Sequence, residues 1–274
     1  MKKQRISTIV LILVFLAGLS LLLYPTISDY WNSMHQSRAI AHYAEQVAEI
    51  NEERYREVWE AAEAYNETLV HKVNRYAMSD EERAEYESLL DVGGNGIIGY
   101  IEIPKINCSL PIYHGIDEAV LQIAVGHIEG SSLPVGGGST HCVISGHRGL
   151  PSARLFTDLD KLVVGDTFLI RVLDEVLTYE VDQIRIVEPQ EMEDLKIEEG
   201  KDLCTLVTCT PYGINTHRLL VRGHRVENAV DAEAIRVTAD AMQIEPVLVA
   251  PFVAVPILMG LLILLMVSTR KRKK

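Results

Sequence analysis

Two stretches of this chain show no alternation of apolar and polar positions at all. Ile6 to Tyr24 reads ISTIVLILVFLAGLSLLLY without a charge, which as a helix is long enough to cross a hydrocarbon core of roughly 30 Å. A second uncharged run extends from Val247 to Val267. Pro246, Pro251 and Pro256 make it irregular, able to kink or to leave its first turn at the interface. Lys2, Lys3 and Arg5 flank the first run, and Arg270, Lys271, Arg272, Lys273 and Lys274 follow the second. By the positive-inside rule both termini face the cytoplasm, and the chain from about Ser28 to Glu245 lies outside. A cleaved secretory signal also has a basic start and an apolar centre. This run is long for one, and no small-x-small site follows Tyr24. On either reading the middle of the chain is exported.

The middle carries two further patterns. Gln36 to Leu90 is rich in Ala, Glu, Arg and Tyr and nearly free of Gly and Pro, which is helix composition. Ser79 followed by Glu82 predicts a capping box opening a second helix, Ser79 to Leu90. Gly93, Gly94, Asn95 and Gly96 break that pattern. Short Val/Ile/Leu/Thr runs then alternate with Gly, Pro and Asp turns: IIGYIEI, HCVIS, TFLIRVL, LTYEVDQIRIV, LCTLVTC and HRLLVRGHRV. That spacing predicts a mainly β domain, its sheet mostly antiparallel and closed into a barrel or sandwich. The organisation is then a transmembrane segment over 1–27, an extracellular helical region with room for a lid over 28–92, and a β domain over 93–228. A linker of moderate helical pattern follows over 229–245, then a C-terminal transmembrane helix over 246–269 and a basic cytoplasmic tail over 270–274.

Charge narrows the partners. Setting aside the eight cations at the two ends turns the −12 of the whole chain into about −20 for the exported part, which argues against nucleic acid and for protein or peptide substrates. The charges of the helical region read as a solvated face. Cys108, Cys142, Cys204 and Cys209 allow three pairings into two disulfides. Their placement inside apolar strand patterns argues against such pairing, and a domain of about 130 residues buries a sufficient core without staples.

In LCTLVTC, alternation puts Leu203, Thr205, Val207 and Cys209 on one face and Cys204, Leu206 and Thr208 on the other. Cys209 precedes the turn-forming Thr210, Pro211, Tyr212 and Gly213, so its thiol sits at a strand end where substrate can reach it. Cys204 packs as a small hydrophobe. A thiol titrates near pH 8.5, so a nucleophile needs a base or cation beside it. His35, His42 and His71 lie in the helical stalk; His217 precedes a strand and His224 lies near the end of one. His147 follows the strand CVISG and opens a loop with Arg148, Gly149 and Leu150, the same kind of position as Cys209. His141 begins that strand at its opposite end. Arg218 and Arg222 are candidates for a permanent cation beside a developing oxyanion, with Arg218 closer to the loop after Cys209. Zinc is the competing chemistry, since His141, Cys142, His147, Cys204 and Cys209 include favoured ligand types. Cys204 and Cys209 are five apart, as are Cys142 and His147, and an odd separation on an unbulged strand sends the two side chains to opposite faces. No metal and no cofactor is therefore expected.

Three stretches together, TLVTCTPYGINTHRLLVRGHR from Thr205, SGHRGLPSARLFTDLDKL from Ser145 and GYIEIPKI from Gly99, closely resemble the sortases, and within them the pilin-polymerising class C branch of Gram-positive bacteria. The resemblance runs from about Glu85 to Val226. It implies an eight-stranded barrel and a cysteine transpeptidase in which Cys209 attacks the Thr-Gly bond of an LPxTG-type sorting signal. His147 is then the acid and base, and Arg218 holds the substrate and its oxyanion. The thioacyl intermediate passes to a lysine amine of another pilin subunit. Class C sortases commonly carry a lid with an Asp-aromatic or Asp-Pro-aromatic motif. Here Asp80 is followed by Glu81 and Glu82, and no such motif occurs between Tyr65 and Leu90, so no lid anchor is named. The alternatives are a housekeeping sortase that anchors proteins to cell-wall peptide, a hydrolytic cysteine protease, and a non-catalytic membrane-tethered pilus scaffold.

Overall fold

The computed structural model describes residues 2–228, with side chains from Val10 onward. The second apolar run, the 229–245 linker and the basic tail lie outside the described residues. Two compact units divide the chain after Tyr30. The first, as far as it is described, is the apolar part of helix α1 (Lys2–Glu49), which contains Pro25. Within Val10–Glu49 the mean hydropathy reaches 2.4 over an 18-residue window none of which is buried. By length and composition this is the one helix among the described residues able to cross a membrane.

The second unit holds the rest of α1 from Trp31, helices α2 (Glu52–Val70) and α3 (Asp80–Ser88), and eight strands. Asn51 caps α2 by accepting the Arg54 N–H at 2.8 Å. Ser79 and Glu82 form the capping box expected for α3. That helix ends two residues before Leu90, because Leu89 is extended and Leu90 turns left-handed at φ 60°.

The strands are β1 (Ile97–Ile103), β2 (Cys108–His114), β3 (Val125–His127), β4 (Thr140–Ser145), β5 (Thr167–Val172), β6 (Glu175–Val187), β7 (Asp202–Thr210) and β8 (His217–Val226). They close into a barrel in the order β1-β2-β3-β4-β7-β8-β6-β5. Six neighbouring pairs are antiparallel; β2 with β3 and β4 with β7 are parallel. The short helix α4 (Glu118–Leu121) lies in the β2–β3 crossover. The inward faces carry one apolar core of Ile98, Ile101, Ile112, Ile144, Phe168, Leu206 and Val221, among others. On the other face of the β4–β7–β8 sheet Val143, Val207 and Leu220 pack with Val187 and Leu195.

Each helix is tied to the barrel unit by one buried polar side chain, which satisfies backbone groups water cannot reach. The Tyr43 hydroxyl of α1 donates to the Ile98 carbonyl at 3.2 Å and accepts the Leu173 N–H at 2.8 Å. The Asn66 carboxamide of α2 bonds both the N–H and the C=O of Leu133, at 2.7 and 3.0 Å. The Tyr86 hydroxyl of α3 reaches His127 Nδ1 at 2.8 Å and accepts the Gly115 N–H at 3.2 Å.

Candidate active site

Cys209 is the penultimate residue of β7 and half-buried. In the antiparallel β7–β8 ladder its partner is Arg218, and Thr210 is opposite His217. On the other side of β7, the parallel β4–β7 register ends with Ser145 opposite Val207. Two bonds extend it: the Gly146 N–H donates to the Val207 carbonyl at 3.0 Å, and the Thr208 hydroxyl to the Gly146 carbonyl at 2.8 Å. His147 therefore leaves its strand alongside Cys209. The three residues singled out from sequence thus lie at the same end of three adjacent strands: Cys209 near the end of β7, Arg218 opposite it on β8, and His147 two residues beyond β4.

Local packing fixes the histidine loop. A Cβ on Gly146 would come within 2.8 Å of Phe156 and Val125, so no larger residue fits where the chain turns out of β4. Gly149 is left-handed at φ +76°, and a Cβ there would meet the Tyr212 ring at 2.9 Å. The Phe156 N–H donates to the His147 carbonyl at 3.1 Å, and the Gly149 N–H to the Thr157 hydroxyl at 3.1 Å. Arg148 is ion-paired with Asp160 and lies 5.9 Å from the Tyr212 ring centroid. The imidazole Nε2 of His147 stands 3.6 Å from the Glu118 carboxylate at the start of α4. Nothing in the sequence pattern pointed to Glu118.

The two arginines separate cleanly. Arg222 is bidentate on Asp182, at 3.0 Å for both bonds, and also bonds Glu198 at 3.0 Å. Those carboxylates raise its already high pKa. It is a structural cation. Arg218 uses only Nη1, on the carbonyls of His217 at 3.1 Å and Asn215 at 3.4 Å. Among the described residues its other donors have no partner, so a permanent charge with free N–H groups stands opposite the thiol-bearing residue.

His141 is fully buried. Nδ1 donates to the Lys196 carbonyl at 2.7 Å and Nε2 accepts from the Thr205 hydroxyl at 2.7 Å. Burial pulls its pKa down to about 4, so it is a neutral tie from the barrel to the β6–β7 connection. His127, which sequence reasoning passed over, is equally buried: Nδ1 meets Tyr86, and Nε2 meets the Ser132 carbonyl at 2.9 Å and the Ser131 hydroxyl at 3.0 Å. Cys204 and Cys142 face the core, and burial pushes the Cys204 thiol well above its ordinary value.

The α2–α3 connection rests on the β6–β7 connection. The Arg75 guanidinium donates to the Leu195 carbonyl at 2.5 Å and to the Tyr76 hydroxyl at 2.9 Å. Beside this contact is a cleft of about 610 Å³ lined by Val73, Arg75, Tyr76, Met192 and Ile197. It lies apart from Cys209, His147 and Arg218, none of which lines it.

A sortase domain profile matches residues 101–226. The chain is 33% identical to sortase D of Bacillus subtilis (strain 168) over 131 residues, 47% of this chain and 63% of that protein. It thus spans less than two thirds of that relative. Among solved structures, sortase C1 of Streptococcus agalactiae is 55% identical with a TM-score of 0.68, the match covering 70% of this chain and all of the other. Sortase C of Streptococcus pneumoniae, a structure described as informing catalysis and pilin substrate specificity, is 46% identical with a TM-score of 0.63, over 70% of this chain and 97% of the other.

Proposed function

Because the chain belongs to the sortase family, and within it to class C, we propose that it is a pilin-joining cysteine transpeptidase whose nucleophile is Cys209. One observation carries the reading: β7 presents Cys209 between Arg218, its partner on β8, and His147, which the β4–β7 ladder delivers on the other side. Support for a pilin substrate comes from the likeness to the S. pneumoniae enzyme, whose structure is described as informing pilin substrate specificity.

The chemistry divides among the three side chains. The Cys209 thiolate attacks the Thr carbonyl of an LPxTG-type signal, and the C=O electron pair moves onto oxygen. Arg218 holds that oxyanion with donors already in place. Collapse expels the glycine amine, which takes a proton from His147. The ε-amine of an acceptor lysine on another pilin then attacks the thioester and gives its proton back to His147, and an isopeptide bond forms as the Cys209 thiolate leaves. Helix α1 anchors the enzyme in the membrane, the barrel faces outward and both termini are cytoplasmic.

The test is incubation of the detergent-solubilised chain with a sorting-signal peptide and either a pilin lysine peptide or a cell-wall cross-bridge peptide. Mass spectrometry is expected to find a thioacyl adduct on Cys209 and an amide to the pilin lysine. Preference for the cross-bridge amine would make it a housekeeping enzyme, and absence of any adduct would exclude a transpeptidase.

A further inference from the structure

Two cysteines take no part in this chemistry yet stand side by side. Cys142 on β4 and Cys204 on β7 are direct partners in the parallel ladder, and both face the core with 2% and 0% exposure. As direct ladder partners the two side chains project from the same face of the sheet, next to each other. Adjacent strands run about 4.8 Å apart, inside the roughly 4.4–6.8 Å range of Cα separations that a disulfide spans. Both groups are thiols in this structure. The outside of a cell is where such a pair oxidises and stays oxidised.

We propose that Cys142 and Cys204 form a disulfide in the exported protein, made by thiol–disulfide exchange with an extracytoplasmic disulfide donor while β4 and β7 pair. One cysteine thiolate attacks a sulfur of the donor and releases one donor thiol, leaving a mixed disulfide. The second cysteine thiolate attacks the protein-side sulfur and releases the other donor thiol. Two protein thiols lose two electrons, one donor disulfide gains them, and the two protons end on the donor. The order of events is set by access, because neither sulfur can be reached once the barrel closes. Two consequences follow. The bridge ties together the strands that carry His147 and Cys209 at their ends. It also removes two thiols that, in a chain not yet closed into the barrel, would form mixed disulfides.

This inference rests on the outward placement of the barrel and not on which residue is the nucleophile. The experiment uses the full-length chain expressed in a Gram-positive host. Free thiols are blocked with a maleimide under acid-quenched, denaturing conditions at harvest, and the digest is mapped without reductant. Protease accessibility of intact protoplasts reports the side of the membrane in the same sample. The expected result is an externally accessible barrel with a Cys142–Cys204 cross-linked peptide and maleimide on Cys108 and Cys209. Adding reductant before blocking should label all four and lower the unfolding midpoint by on the order of 10 °C. An external barrel with all four cysteines blocked at once, or a bridge involving Cys108 or Cys209, overturns the disulfide and leaves the transpeptidase reading standing. A cytoplasmic barrel overturns the disulfide and the outward placement together.

Discussion

The chemistry turns on side chains whose neighbours differ more than their types. Cys209 and Cys204 share a strand, but one is half-buried at its end and the other sealed in the core. Cys209→Ala is expected to abolish the thioacyl adduct, while Cys204→Ala keeps most of the activity; mass spectrometry and turnover of a sorting-signal peptide read the two. Arg218 and Arg222 divide in the same way. Arg218→Lys should lower kcat about 10²-fold, as loss of an oxyanion donor does, with little change in denaturant midpoint. Arg222→Ala leaves Asp182 without its bidentate partner and Glu198 with Lys201 alone, and should cost about 1–3 kcal/mol of stability while sparing kcat. From sequence, alternation along LCTLVTC put Cys209 at a reachable strand end, and it is the half-buried penultimate residue of β7, because a strand's two-residue period is local. Nearness to the loop after Cys209 and the resemblance favoured Arg218 over Arg222, but the acidic partners that occupy Arg222, on β6 and in the β6–β7 connection, leave no trace in the spacing within β8. Glu118 was invisible for the same reason.

At the level of elements, glycine and tyrosine do the positioning. Gly146→Ala should push the chain off Phe156 and Val125 and move His147. The expected outcome is a fall in kcat of tenfold or more with a shallower change in denaturant midpoint, measured side by side. Tyr86→Phe leaves His127 Nδ1 and the Gly115 N–H without their shared hydroxyl. It should cost about 1–3 kcal/mol in chemical unfolding. The α3 start was legible, since Ser79 and Glu82 form a capping box from contiguous residues alone. Its early end was not. Leu90 turns left-handed while its side chain is buried, and tertiary packing there outweighs the local preference of a Leu to stay helical. The N-cap at Asn51 was also missed, as the surrounding composition reads as one uninterrupted helical region.

Across the whole molecule, two imidazoles, the buried His141 and the half-buried His114, set a dependence on pH. Burial pulls both His141 and His114 down to about 4 from an ordinary 6.5. Between those values the unfolded chain takes up protons that the folded one refuses, so stability is complete above pH 6.5 and declines as pH falls towards 4. Each group contributes a loss on the order of 3 kcal/mol. Thermal melts from pH 7.5 to 4.5 should show the decline, and His114→Gln should shrink it. A mostly antiparallel sheet, closed as a barrel or a sandwich, was legible from turn spacing, and the choice of an eight-stranded barrel came from the resemblance. The parallel docking of β4 on β7 was not, because two intervening strands separate them in sequence and crossover handedness leaves no local trace.

That parallel seam has a bearing on secretion. If the chain is exported as proposed, a polypeptide threading through a translocation pore presents β4 long before β7. Only the completed β4–β7–β8 ladder sets the strand ends that carry His147, Cys209 and Arg218 side by side, so on the transpeptidase reading proposed above peptide-bond exchange waits for the finished sheet.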